Sequence, residues 1–240
     1  MKKAAIAGGA GFIGYWTAKR LVGEGFEVKI LDNLHTASLI EKVREIGFQV
    51  MKVDVRNLNA LKKTLQGSDC VIHLAALLGV EESLENPKLY HDVNVTGTLN
   101  VLEAAVKTGV DKVIYASTAA VYGDPCELPI REEHPTQPIS VYGASKLAGE
   151  VYCTSFHNTF GIKTVILRYF NVYGPSQSEE YAGVIKRLIG RIREGNPPII
   201  YGDGLQTRDF IHVEDVTYAN LLALNSSLNY GIFNIASGNR

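Results

Sequence analysis

Six short apolar runs, 3–7, 27–31, 48–53, 70–75, 112–117 and 163–168, punctuate the chain as far as residue 168. They are rich in β-branched residues and apolar almost throughout instead of alternating. That is the pattern of strands covered by helices on both faces. Longer stretches with helical period lie between them, at 12–23, 58–66, 93–107 and 141–159. Within 93–107, Val95, Leu99, Leu102, Ala105 and Val106 fall on one face at helical spacing. Strand and helix alternating in this order predict an α/β domain with a doubly wound parallel sheet.

After Tyr169 the texture changes. Asn171-Val172-Tyr173-Gly174-Pro175, Asn196-Pro197-Pro198 and Gly202-Asp203-Gly204 are turn-rich, and the elements between them are short. The expected division is a nucleotide-binding domain over 1–170 and a smaller lobe over 171–240 that returns to the first in places.

Composition narrows the class. The 240 residues carry 24 Lys+Arg against 25 Asp+Glu, a formal net charge of -1, and 46% are hydrophobic. A disordered chain needs low hydrophobicity and high net charge, so a packed fold is expected. No excess positive charge is available to neutralise phosphates along a polymer, so no nucleic-acid partner is expected. No apolar stretch approaches the ~20 residues of a membrane span, so no membrane partner is expected either. The apolar run after Met1-Lys2-Lys3 breaks into glycines too early for a signal peptide and reads as the first strand. Cys70, Cys126 and Cys153 are odd in number and lack metal-ligand spacing. They suggest a reducing, cytoplasmic setting and no metal.

Candidate chemistry begins at Gly8-Gly9-Ala10-Gly11-Phe12-Ile13-Gly14, directly between the first strand and the first helix. Glycines at 8, 11 and 14 allow a tight turn, close backbone approach to a pyrophosphate and close helix–strand packing. The helix N-terminus adds free N–H groups and a positive dipole end. The spacing is G-x-x-G-x-x-G, and alone it is a weak signal, because such turns also serve packing. Asp32 strengthens it: ending the second strand, its carboxylate can accept from ribose hydroxyls and would repel a 2′-phosphate. NAD is therefore expected over NADP. Asp54, after the third strand, falls where the adenine would lie, but it could equally cap the helix starting near Asn57.

Tyr142 and Lys146 form a Y-x-x-x-K pair in a helical stretch, so their side chains share a face. A nearby ammonium favours phenolate. Bringing a Tyr from ~10 towards 7 takes roughly 4 kcal/mol, which Lys146 and a positive nicotinamide ring would supply together. Such a Tyr serves as acid and base for a hydroxyl. With 12 Tyr in the chain, roughly 0.7 such pairs arise by chance. Tyr15 and Lys19 form a second one, read as packing and surface. Tyr142 differs because Ser117-Thr118 ends a strand at the carboxyl edge of the sheet, where open α/β folds bind ligands. Thr118 can bond the same substrate oxygen.

Taken in order, these residues resemble the extended short-chain dehydrogenase/reductases, particularly the nucleotide-sugar epimerases of the UDP-galactose 4-epimerase type. The resemblance adds His73-Leu74-Ala75-Ala76, Asn94-Val95-Thr96-Gly97-Thr98, Arg168 to Pro175 and Arg208-Asp209-Phe210-Ile211-His212-Val213. It implies a Rossmann fold, bound NAD and a UDP-linked sugar as substrate. By its pattern Phe12 and Ile13 lie at the pyrophosphate, Asp32 and Asn33 at the adenosine ribose, and Asp54 and Val55 at the adenine. Leu74, Ala75, Ala76 and Asn94 run along the cofactor, with Phe170 near the nicotinamide. Thr118, Tyr142 and Lys146 are the catalytic set. Asn171 and Arg208 hold the substrate diphosphate, Arg208 by its fork of donors; otherwise Arg208 is a surface partner of Asp209 or Glu214. His73 and His212 sit in apolar runs and need carry no chemistry.

The pattern is not matched everywhere. Ala7 stands where the family often has Thr, so a hydroxyl that steadies the glycine turn is missing. Relatives that dehydrate a hexose carry an acidic pair after the Ser/Thr, and decarboxylases a Glu; here Ala119-Ala120 follow Thr118. That favours a 4-epimerase over a dehydratase or decarboxylase. The alternatives are a net oxidoreductase or other nucleotide-sugar modifier on the same fold and, more distantly, a non-catalytic NAD-binding sensor, which need not retain Thr118, Tyr142 and Lys146. The resemblance also implies a homodimer through 93–107 and 141–159. Against such relatives the chain is short, and an incomplete C-terminal substrate lobe is expected.

Overall fold

The computed structural model describes residues 2–35, 39–177, 184–200 and 202–239. Its strands and helices follow as β1 Lys3–Ala7, α1 Phe12–Gly23, β2 Glu27–Asp32, α2 Ile40–Glu45, β3 Gln49–Lys52, α3 Leu58–Leu65 and β4 Cys70–His73. Next come α4 Val80–Glu85, α5 Pro87–Tyr90, a π-helical turn His91–Thr96, α6 Gly97–Thr108, β5 Lys112–Thr118 and a 3₁₀ turn Ala119–Val121. The remainder is α7 Val141–Phe160, β6 Lys163–Tyr169, β7 Asn171–Tyr173, α8 Val184–Arg193, β8 Phe210–His212, α9 Val213–Asn225 and β9 Tyr230–Ile235.

Seven strands form one parallel sheet in the order β3-β2-β1-β4-β5-β6-β9. The continuous apolar runs are explained by its two covered faces. Along β1, Ala4 and Ile6 enter the layer beneath α1 and α9, with Tyr15, Ala18, Leu21, Val216 and Leu224. Ala5 and Ala7 enter the opposite layer beneath α3, α6 and α7, with Leu61, Leu65, Leu102 and Cys153. β5 divides likewise, Ile114 and Ala116 to one side and Val113 and Tyr115 to the other. A strand with two dry faces has no position left for alternation.

Beyond residue 170 the chain serves both layers. α9 packs on α1, where Arg20 Nε donates to Thr217 Oγ1 at 2.8 Å, and β9 extends the main sheet beside β6. β7 and β8 form a separate two-stranded parallel ribbon over the carboxyl ends of the strands. The order reverses between β1 and β4, which opens a crevice at those ends. Among the described residues no helix is long and apolar enough to cross a membrane.

Candidate active site

A cavity of about 690 Å³ occupies that crevice. Its floor is the glycine turn. Gly8 has a left-handed φ of 83°, and its amide donates to the Leu31 carbonyl at 2.8 Å. A Cβ on Gly14 would stand 2.3 Å from the Gly8 carbonyl oxygen, so α1 can approach β1 this closely only without a side chain there. Gly11 caps α1 with no side-chain hydrogen bond, leaving the first-turn N–H groups at Phe12 and Ile13 open towards the cavity.

Asp32 is fixed at the end of β2. Its Oδ2 accepts from Ala10 N at 3.0 Å and its Oδ1 from Leu34 N at 2.8 Å, while burial raises its carboxyl above the usual range. Each oxygen retains a free lone pair for a ribose hydroxyl. The open helix terminus, the cradle that a Cβ would fill and this carboxylate together fit a dinucleotide.

Asp54 is held by its neighbour Arg56. Arg56 Nε and Nη2 donate to its two carboxylate oxygens at 2.9 and 2.7 Å, which holds its carboxyl down to about 2. Asn57 is the cap of α3, accepting from Ala60 N at 3.0 Å, so the proposed capping role of Asp54 is corrected. Val55 and Arg56 line the cavity in its place. Asn94 likewise stands behind the wall. From the π-helical turn its side chain accepts from Leu77 N at 2.8 Å and donates to Leu77 O at 3.1 Å and Ser145 Oγ at 2.9 Å. It ties the 74–78 segment to α7. The other expected cofactor residues, Asn33, Leu74, Ala75, Ala76 and Phe170, all line the cavity.

Thr118, Tyr142 and Lys146 meet at the far end of the same cavity. Ser140 caps α7 by accepting from Gly143 N at 3.0 Å, and Ser83 Oγ accepts from Tyr142 N at 3.2 Å. These bonds fix where the phenol starts. A hydrogen bond from Thr118 draws the Tyr142 phenol down, but burial outweighs it and the net shift is upward. The protein alone therefore does not lower the phenol, and the expected lowering by Lys146 together with a positive nicotinamide ring concerns the filled site. Lys146 is pulled down to about 8 by burial, and its Nζ sits 4.5 Å over the Tyr115 ring.

That value makes a prediction. In cofactor-free protein the Lys146 resonance of carbon-labelled lysine should titrate near 8 and vanish in Lys146→Met. The folded value lies below the unfolded one, so the unfolded chain binds more protons in between. This group's contribution to stability should then rise with pH from about 8 to 10.5. A midpoint at the ordinary lysine value would contradict the burial argument.

Asn171 and Arg208 border the cavity from the ribbon side. Asn171 Nδ2 donates to the Asp209 carbonyl at 2.8 Å, and Arg208 is exposed, Nη1 donating to Thr207 O at 2.8 Å. Among the described residues Arg208 pairs with no carboxylate; Asp209 instead accepts from Ser237 and Gly238. Tyr15 is in the core, Lys19 lies over Trp16, His73 is buried against Thr98, and His212 caps α9. Among the described residues no cluster of three metal-ligand side chains occurs.

Arg56, His35 and Leu78 also line the cavity without having been expected there. Arg56 had a signal, its place two residues after Asp54; His35 and Leu78 lie on loops with no motif.

A parallel doubly wound sheet with a glycine-floored crevice defines a Rossmann-type NAD-binding protein. The model of the NAD dependent epimerase/dehydratase family matches residues 4–236, and the chain belongs to this family. It is 44% identical to a putative UDP-glucose 4-epimerase from Methanocaldococcus jannaschii, over 92% of this chain and 72% of that protein. It is 36% identical to a UDP-N-acetyl-α-D-glucosaminuronate decarboxylase from Bacillus cytotoxicus, over 98% of this chain and 75% of that one. The crystal structure of Thermus thermophilus UDP-glucose 4-epimerase complexed with NAD superposes with a TM-score of 0.91 at 38% identity, covering 99% of this chain and 78% of that one.

Proposed function

We propose that the protein is a nucleotide-sugar 4-epimerase of the UDP-glucose/UDP-galactose type. The observation that carries this reading is the meeting of Thr118, Tyr142 and Lys146 in the cavity floored by the glycine turn. NAD, when bound, supplies reversible hydride acceptance. The protein's part is acid–base and positional. Tyr142 takes the proton of the sugar 4-hydroxyl as that carbon loses hydride, and returns it to the 4-keto sugar once the opposite face is presented. Thr118, already bonded to the phenol, orients the reacting oxygen. Lys146 adds positive charge beside Tyr142 and holds the nicotinamide ribose. Asn171 and Arg208 grip the diphosphate at the cavity's rim, so the sugar turns about a fixed link.

The surroundings of Thr118 support epimerisation over elimination. Ala119 and Ala120 form the following turn, and neither carries an acid. The carboxylates that line the cavity among the described residues are Asp32, bonded to backbone, and Glu82, which accepts from the Tyr90 hydroxyl at 3.0 Å. Purified protein should interconvert UDP-glucose and UDP-galactose, or the N-acetylated or uronate pair, with no net change in nicotinamide absorbance. A net absorbance change would mark an oxidoreductase instead, and inertness towards all three pairs would refute the reading.

A further inference from the structure

Below the catalytic set lies a buried charged network that the reaction itself does not use. Tyr142, Lys146 and Glu150 succeed one another by four residues on the face of α7 turned towards β5 and β6. Glu150 and Arg168 are 4% and 5% exposed at their side chains, and Arg168 Nη2 donates to Glu150 Oε2 at 2.7 Å. Arg168 Nε donates to Glu150 Oε1 at 3.0 Å, completing a bidentate fork. The same Oε1 accepts from the Ser117 hydroxyl, immediately before Thr118. The remaining arm of Arg168 donates to the Tyr122 hydroxyl at 2.8 Å and the Glu132 carbonyl at 3.0 Å. Tyr122 then donates to Asn234 of β9 at 2.6 Å.

The strand end and turn that carry Thr118 are thus tied at both sides, at Ser117 through Glu150 and at Tyr122 through Arg168. Of the pair that ties them, Arg168 stands on β6 and Glu150 on α7, the helix that also carries the phenol. We propose that Glu150 and Arg168 are positioning residues, a clamp that holds the Thr118 hydroxyl in register with Tyr142. A buried ion pair is a poor device for stability alone, since apolar residues of similar volume often serve as well. Its use here is geometric. One carboxylate reads the helix, the strand and the turn together, and an ångström of slip between Thr118 and Tyr142 would carry through to the reacting oxygen.

The kinetic arm of the test rests on the epimerase reading; a spectroscopic arm does not. With fluorotyrosine incorporated, the Tyr142 signal is identified by its loss in Tyr142→Phe, and Thr118→Val marks its position without the threonine bond. Glu150→Gln should move this signal towards the Thr118→Val position. It should also lower kcat by about tenfold to a hundredfold with KM for the nucleotide sugar unchanged. Ser117→Ala keeps the ion pair and should produce a smaller shift in the same direction; it decides the matter if Glu150→Gln does not fold. A Tyr142 signal that stays in place in the folded variants, with melting temperature alone reduced, overturns the clamp. If the wild-type protein epimerises nothing, the functional reading fails, while the fluorine signal still decides on the clamp.

Discussion

Tyr142→Phe should lower kcat by about 10²–10⁴-fold, the usual weight of a general acid–base, while the protein keeps its NAD. The loss is confined to chemistry because the ring is not what builds the cavity. Tyr142 is placed by the Ser140 cap and by its own amide bond to Ser83, and Phe retains both. The hydroxyl meanwhile has no role in the glycine turn, where the open end of α1 and Asp32 make the dinucleotide site. Turnover should therefore fall without a matching fall in cofactor content, measured by absorbance of the released nicotinamide. Loss of both together would place Tyr142 in the architecture of the site. Unchanged turnover would remove it from the chemistry.

The pH behaviour is bound to the same residue. Burial holds the free phenol above its usual value, so ionisation at neutral pH needs positive charge from within the filled cavity. In the proposed function Lys146 is part of that supply; burial depresses its own value to about 8. Spacing in the sequence locates the pair. It does not report desolvation, so the upward shift of the unliganded phenol is visible only in the structure.

Other parts of the molecule divide along similar lines. All six strands to β6 ended within two residues of their expected limits, partly covered β3 at the sheet edge included. β1, β4 and β5 were legible because a strand dry on both faces is apolar almost throughout. β9 was not, since Gly231 and Asn234 interrupt its apolar run and its place at the sheet edge leaves it only partly covered. The π-helical turn at His91–Thr96 left no trace in a 3.6-residue period that continues cleanly into α6. Asn94 was found by its motif, but its bonds to Leu77 and Ser145 were not, because a motif does not say which partner a buried amide satisfies. For Asp54 the spacing did not show its pairing with Arg56 or that Asn57 takes the cap of α3. The Glu150–Arg168 pair joins residues 18 apart on different elements; the packing of α7 on β6 brings them together, and the register of β5 on β6 sets Ser117 opposite Arg168.

Gly14→Ala should be among the damaging single methyls in the molecule, and the contacts say why. The new carbon would lie 2.3 Å from the Gly8 carbonyl oxygen, 2.6 Å from Gly9 Cα and 2.8 Å from Gly9 C. All three are backbone atoms, so no rotamer change relieves the contact and α1 must move away from the turn. Overpacking of this kind costs about 1–3 kcal/mol, and more where main chain is displaced. At this chain length each kcal/mol is about 2–4 °C of melting temperature. The displacement also withdraws the first-turn N–H groups of α1 from the cavity floor, so NAD affinity should fall by more than the fold is weakened. Gly23→Ala supplies the control on the same helix. Nothing lies within 4 Å of the added methyl there, and the loss of glycine's extra chain entropy should leave stability equal or raised by up to about 1 kcal/mol. Melting temperature and retained NAD should therefore both drop in Gly14→Ala and hold in Gly23→Ala. Retention of NAD by Gly14→Ala at the wild-type level would show that the glycine turn serves packing alone.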